Sequence, residues 1–297
     1  MGKFEYWTVA YRLRTGEKTL AENQADPFTV IKNTWRYWFA DPHLVVQDGR
    51  TWVFAEQYDR VLRRGVIGCC ELTPSGPTPW SVVLKMPYHL SYPHLVSAGA
   101  EWYMIPESYV ADEIAVYRAV DFPWKWEKVR ALKKPFCAVD STTFEAGGKN
   151  WMLTLRFLSG QEQLILFPMD ETGICGGGLC VAANDPHKRP AGNFFAAGQK
   201  LVRPAQDCTE SYGCALNFYE VTEVNEAAYR ETLLAKVKPS DLKTDLGRVP
   251  AGIHTYNVTE TYEVIDLKTY ETDWLFYLTR PIWFVWRRVR KLWKRRV

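Results

Sequence analysis

Hydrophobic residues in this chain come in short bursts separated by polar turns, and the body of the chain holds no helical period for long. The stretch Phe39 to Asp59, FADPHLVVQDGRTWVFAEQYD, shows the unit. Leu44–Val46 reads as one strand, Asp48-Gly49-Arg50 as a turn and Thr51–Ala55 as a second strand, since Asp-Gly between two apolar runs is a strong hairpin signal. Val66–Leu72 and Ser81–Met86 supply a third and a fourth strand. The unit recurs from Leu90 as LSYPHLVSAGAEWYMIPES, from Ala138 as AVDSTTFEAGGKNWMLTLRF and from Arg189 as RPAGNFFAAGQKLVRPAQD. A fainter copy, AGIHTYNVTETYEVIDLKTYE, starts at Ala251. Aligning Asp41, Tyr92, Asp140 and Pro190 gives a step of roughly 50 residues, the length of one propeller blade. Short strands in every copy predict an all-β, five-bladed β-propeller. Glu5–Arg14 alternates as a strand and is expected to close the ring against the last blade. Asn225–Leu246 carries Tyr229, Leu233 and Val237 four residues apart and reads as a short helix or a long inter-blade excursion.

The pattern breaks at the C-terminus. TDWLFYLTRPIWFVWRRVRKLWKRRV, residues 272–297, mixes Trp, Phe and Val with bases. Its apolar run is too short and too charged to span a bilayer. It is expected to be an amphipathic basic helix lying on an anionic membrane surface, appended to a propeller of residues 1–271. From Arg280 onward there are eight Lys or Arg and no acid, which leaves 29 bases against 34 acids for the rest. The formal charge of +3 therefore hides a mildly acidic body, which argues against a nucleic-acid partner. The seven Cys form no CxxC pair, and no apolar run with a small-residue cleavage site opens the chain. The expectation is a reduced, cytoplasmic protein, peripheral on the inner face of the cell membrane.

In a propeller the innermost strand of each blade lines the central axis, so residues at its entry gather at one mouth. This brings Asp41 with His43, Tyr92 with His94, and Asp140 with Thr142. The second strand returns toward the same mouth and delivers Glu56, Glu107, Arg156 and Gln206-Asp207 from successive blades. The expected funnel holds Asp41, Glu56, Glu107, Asp140 and Asp207 with His43, His94, Arg156, Arg189 and Arg203. Carboxylates across a sugar-sized gap suit glycosidic chemistry, and clustered Arg suits phosphate or a nucleotide-sugar. Cys175-Gly-Gly-Gly-Leu-Cys180 lacks the Gly-Lys-Ser/Thr ending of a P-loop. His43, His94 and an acid have no diagnostic metal spacing, so no metal and no cofactor is assigned.

An Asp opening the first blade and another opening the third resemble the five-bladed propeller glycosidase clan of arabinanases, β-xylosidases, invertases and mannoside phosphorylases. That resemblance implies a base or nucleophile at Asp41 and a substrate-orienting, acid-tuning role at Asp140. The clan's general acid is a fourth-blade Glu, whereas this blade opens Arg189-Pro190-Ala191-Gly192. Glu107 or Asp207 would have to substitute. FADPHLV, YPHLV, YMIPES, VYRAVDFPWKWE, DSTTFE and RPAQDCTESYGCAL, spread from Trp35 to about Val221, more closely resemble the N-terminal propeller of plant glucosamine inositolphosphorylceramide transferases and related bacterial polysaccharide-locus proteins. In the plant proteins a separate glycosyltransferase domain follows; none is read in this sequence, so any sugar transfer is expected of the propeller itself. The expectation is a glycosyltransferase of cell-surface polysaccharide or glycolipid synthesis. Asp41 acts as base, Asp140 and Glu107 fix the sugar, and Arg156, Arg189 and Arg203 hold the phosphate of an activated donor. The acceptor is a glycan or a lipid-linked sugar. The alternatives are a glycoside hydrolase or phosphorylase of the same clan, and a non-catalytic glycan-binding or scaffold propeller.

Overall fold

The computed structural model describes residues 2–274. Their strands form five antiparallel sheets, one for each sequence repeat. Blade 1 runs from Tyr37–Gln47 at the axis through Arg50–Asp59 and Arg64–Thr73 to Ser81–Leu84 at the rim. Blade 2 comprises Ser91–Ala98, Glu101–Glu107, Ile114–Asp121 and Lys125–Lys133. Blade 3 comprises Ala138–Ala146, Lys149–Leu158, Gln161–Asp170 and the outer Leu179–Ala183. In blade 4 the inner edge is split into Arg189–Pro190 and Phe195–Ala197, followed by Lys200–Asp207, Ala215–Val224 and Tyr229–Val237. Pro190 cannot donate to a ladder, which accounts for the break.

Blade 5 joins the two ends of the chain. Tyr256–Val258 is innermost, Tyr262–Thr272 follows, and Lys3–Leu13 is the next strand out. The two long strands pair without a slip from Lys3 opposite Thr272 to Leu13 opposite Tyr262. No helix stands between Asn225 and Leu246; the segment supplies the outer strand of blade 4 and a 3₁₀ turn at Pro239–Asp241. Here a bulge between Leu233 and Ala235 shifts the alternation, so Tyr229 packs toward blade 3, Val237 toward blade 5, and Leu233 stays exposed.

Alternation also builds the core. Along Arg50–Asp59, Trp52 and Phe54 pack with Leu95, Met104 and Tyr117 of blade 2. Val53 and Ala55 face the other way, onto Val9 and Val264 of blade 5. In blade 3, Met152 joins Ile105 and Val116 of blade 2, while Trp151 and Leu153 meet Phe194 and Leu201 of blade 4. Leu216 and Phe218 of blade 4 close against Ile265 and Leu267 of blade 5. Each blade therefore buries both faces, and each large side chain so placed contributes about 1.5–3 kcal/mol. Residues 275–297, nearly all of the predicted basic helix, lie outside the described residues.

Candidate functional site

Three innermost strands share an irregularity at the mouth. The register slips between Ala40 and His43, between Ser91 and His94, and between Val139 and Thr142. The bulged residues Asp41, Tyr92 and Asp140 have φ of 52°, 41° and 51°. Asp tolerates this left-handed region, whereas for Tyr it costs about 1–3 kcal/mol. Tyr92 is over-determined by its hydroxyl, which meets Thr142 Oγ1 of blade 3 at 2.7 Å and accepts the Gly192 N–H of blade 4 at 2.7 Å. Gly192, at φ 131°, must lack a side chain because a Cβ would come within 1.9 Å of the Tyr256 carbonyl.

Carboxylates cap two of these bulges from blade to blade. Asp266 of blade 5 accepts the Asp41 N–H at 2.9 Å, and Asp41 accepts the Tyr92 N–H at 3.1 Å. Asp41 also accepts from Thr255 Oγ1 at 3.1 Å. Asp266 further takes the backbone N–H groups of His254 and Thr255, each at 3.0 Å. The His254 ring lies between the two acids, Nδ1 2.6 Å from Asp266 and Nε2 3.5 Å from Asp41, with Trp7 stacked on it at 3.8 Å. Burial alone would depress His254, but Asp266 and then Asp41 carry it above the ordinary imidazole value. Among the described residues, Asp41, His254 and Asp266 are the one trio with donor atoms within 4.8 Å of one another. Asp266 spends its four lone-pair sites on three backbone N–H groups and His254 Nδ1, so the trio is a hydrogen-bonded chain rather than an open set of metal ligands.

The cleft above this chain has a volume of about 190 Å³ and is lined by Asp41, Glu56, Glu107 and Arg189 with Trp7, Trp38, Tyr58, His89, Tyr212 and His254. That is below the roughly 300–1,000 Å³ of pockets that enclose drug-sized ligands, and suits one sugar ring with the remainder outside. Arg189 Nε donates to Asp140 at 2.6 Å, and its Nη2 is 3.8 Å from Glu107. The same guanidinium lies 5.1 Å from the Tyr212 ring, and the Gln206 amide donates to Asp140 at 3.2 Å.

The mouth holds more acid than base, and burial makes that costly. Asp41 is pushed up to about 6 by burial, with Asp140 and Asp266 adding to the shift and His254 opposing it. Glu107 is raised well above the ordinary range by burial and then by Asp140. Glu56 is raised likewise, by burial and then by Asp41 and Glu107. Its Oε1 is buried without a hydrogen-bond partner, and His89 Nε2 lies 3.3 Å away. His89 Nδ1 accepts the Gly65 N–H at 2.9 Å, so the ring is neutral with its proton on Nε2, facing Glu56. Gly65 makes the room, since a Cβ there would sit 2.6 Å from Glu56 Oε1.

The structure thus brings Asp41, Glu56, Glu107, Asp140 and Arg189 together. His43 and His94 lie deeper along the axis, their rings 6.1 Å apart. His94 is a strut, bonded to Asn193 of blade 4 and to Thr143 of blade 3. Burial holds both imidazoles neutral, at about 3 and about 4. Three expected residues are elsewhere. Arg203 is fully buried against Glu231, with two bonds of 2.7 Å, beside a separate cleft of about 390 Å³ between blades 3 and 4. Asp207 pairs with Lys236 at 2.6 Å, because the strand alternates and its neighbour Gln206 takes the side facing Asp140. Arg156 stacks on Phe136 at 4.7 Å. His254, Asp266, His89, Trp7, Trp38 and Tyr212 were not foreseen; a His and an Asp within the fifth repeat were the available signal.

Residues 28–165 match the family model described as glucosamine inositolphosphorylceramide transferase 1, N-terminal. The chain is 31% identical over 210 residues to glucosamine inositolphosphorylceramide transferase 1 of Arabidopsis thaliana, covering 65% of this chain and 26% of that protein. The protein of the same name from Oryza sativa subsp. indica is 29% identical over 206 residues, covering 65% and 27%. The chain spans about a quarter of the length of these curated relatives. Among solved structures, it is similar to the catalytic domain of a GH62 α-L-arabinofuranosidase from Coprinopsis cinerea, with a TM-score of 0.58, 12% identity, and coverage of 74% of this chain and 76% of that one. A β-xylosidase, RS223, gives a TM-score of 0.56 at 10% identity, covering 78% and 92%. At such identities the likeness is one of fold. The propeller and its resemblance to the plant transferase N-terminal domain, both read from the repeats, agree with these matches.

Proposed function

We propose that the mouth is a sugar-transfer site, and that this protein moves a sugar from an activated donor to a glycan or glycolipid acceptor. One observation carries the reading: carboxyls from blades 1 and 2 and the blade 4 arginine, itself held by Asp140 of blade 3, converge on a ring-sized cleft walled by aromatic side chains. Aromatic faces take the apolar faces of sugars, and carboxylates take their hydroxyls. The relatives named as transferases support the same class of chemistry. Asp41, with a pKa near neutrality, is the base for the acceptor hydroxyl. Glu107 and the Asp140–Arg189 pair hold the sugar. Arg189 is the one arginine of the expected three that stands at the cleft, so it alone meets the phosphate of a sugar phosphate or nucleotide-sugar. The proposed setting is the inner face of a cell membrane, reached through the basic residues after Trp274.

A second reading, hydrolysis or phosphorolysis of a glycoside, is favoured by Glu56 and Glu107. Buried carboxyls held protonated beside a base are what cleavage of a poor leaving group needs. The test offers a panel of nucleotide-sugars and sugar 1-phosphates with short glycan and glycolipid acceptors, and follows release of nucleotide or phosphate. Asp41→Asn should abolish release while leaving the circular dichroism spectrum unchanged. Saturable sugar binding with no turnover of any donor or glycoside would make this a binding propeller and end the enzyme reading.

A further inference from the structure

The cleft opens on the face of the propeller from which the chain leaves the described structure, and that rim has an unusual surface. Tyr262–Thr272 climbs from Asp266, at the level of Asp41, to Asp273. There one guanidinium gathers the rim: Arg60 donates to Asp273 at 2.7 Å and to the Trp35 carbonyl at 2.6 Å. Around it Trp35 is 70% exposed, Trp274 63% and Leu62 41%. Trp38 and Tyr58, only a few residues inward on the same two strands, stack at 4.4 Å and line the cleft. Lys3, Arg36, Arg60, Arg63 and Arg64 stand on this rim; Arg36 pairs with Asp59, Arg60 with Asp273, and Glu271 is taken by Arg248.

We propose that this rim, between blades 5 and 1, docks on an anionic lipid bilayer, so that the cleft faces lipid headgroups. Single exposed apolar residues are ordinary, but two Trp and a Leu gathered round a basic rim have the composition of a membrane-interface surface. The sequence supplies the occupant. After Trp274 it continues with Trp283, Trp286 and Trp293 among eight bases and no acid from Arg280. Basic residues beside a membrane are drawn to anionic headgroups, and the described residues end at this rim with those bases still to come in the sequence. The rim then meets the headgroups, and the cleft is held within reach of them. Resting on the sugar-transfer reading, this makes the acceptor class a lipid-linked sugar presented at the bilayer, approached by its sugar end.

The test uses the full chain. Vesicles of phosphatidylcholine alone, and with phosphatidylserine, are mixed with wild type and with Trp35→Ser/Leu62→Ser, neither residue being part of the cleft. Wild type should co-sediment with the anionic vesicles only. The double variant, at unchanged melting temperature, should bind them about tenfold more weakly. Hydrogen exchange of wild type on vesicles should slow at residues 33–37 and 60–64. Equal partition of variant and wild type, protection confined to residues after 274, or equal binding to neutral vesicles would each overturn the docking rim. Turnover of a detergent-dispersed glycolipid acceptor, without vesicles, separates the two ideas: its absence sinks the transfer reading, while vesicle partition reports on the rim alone.

Discussion

Replacing Asp41 by Asn should stabilise the protein while destroying its activity. The folded carboxyl titrates at about 6 against an ordinary 3.8, chiefly because it is buried. The folded state therefore binds this proton more tightly than the unfolded state. Wild-type stability falls as the pH rises from about 4 to 6 and stays low above it. At about 1.4 kcal/mol for each pH unit, ionised Asp41 costs the folded protein about 3 kcal/mol at pH 8 and only about 0.5 kcal/mol at pH 4. Asn carries no such cost. It still offers an oxygen to the Tyr92 N–H, but weakens the bond from Thr255 or the contact with His254, a loss of about 1 kcal/mol that does not vary with pH. Urea unfolding of both proteins from pH 4 to pH 8 measures the difference. The advantage of Asp41→Asn should grow by about 2.5 kcal/mol across that range. A gap that is constant with pH, or that shrinks as pH rises, would refute the assignment of Asp41 as a buried, strained base.

Turnover should rise with pH through about 6 as Asp41 ionises, and a flat initial-rate profile between pH 5 and 7 would remove it as the base. Arg203→Met should destabilise the protein by about 1–3 kcal/mol, because buried Glu231 would lose both guanidinium bonds and keep only Lys188 and Tyr229. Calorimetry should find sugar binding at the mouth unchanged in this variant. Gly192→Ala should prevent folding or cost several kcal/mol, as judged by soluble yield and thermal melting, since a Cβ meets the Tyr256 carbonyl at 1.9 Å. Ending the chain after Trp274 should abolish most vesicle co-sedimentation without lowering the melting temperature. The cut must follow Asp273, which holds Arg60.

The five blades were legible because each repeat spells a hairpin, and the mouth acids because they stand at hairpin ends. Asp41, Glu56, Glu107, Asp140 and Arg189 converge for that reason alone. Parity was the weak point. Gln206 and Asp207 are adjacent, and only the alternation of the strand decides which faces Asp140. Arg203 was misplaced because its partner, Glu231, belongs to the segment that reads equally as helix or strand. His254 and Asp266 were hidden because the inner strand of blade 5 is only Tyr256–Val258, too short to repeat the pattern clearly. Trp7 and Tyr212 reach the cleft from the closing strand and from a loop, neither of which belongs to a repeating hairpin.

The closing strand also sets when the site can exist during synthesis. Blades 1 to 4 can form in order as the chain leaves the ribosome, each against its predecessor. Lys3–Leu13, held on its outer edge only by Thr29–Val30, must wait with its long inner edge unpaired until Tyr262–Thr272 arrives at the other end of the sequence. The bulge at Asp41 waits too, for its N–H is capped by Asp266 on that late strand. A nascent or truncated chain can therefore hold most of the propeller and still lack a formed mouth. Its competence switches on in a single late event, with the N-terminal segment an open edge for mispairing until then.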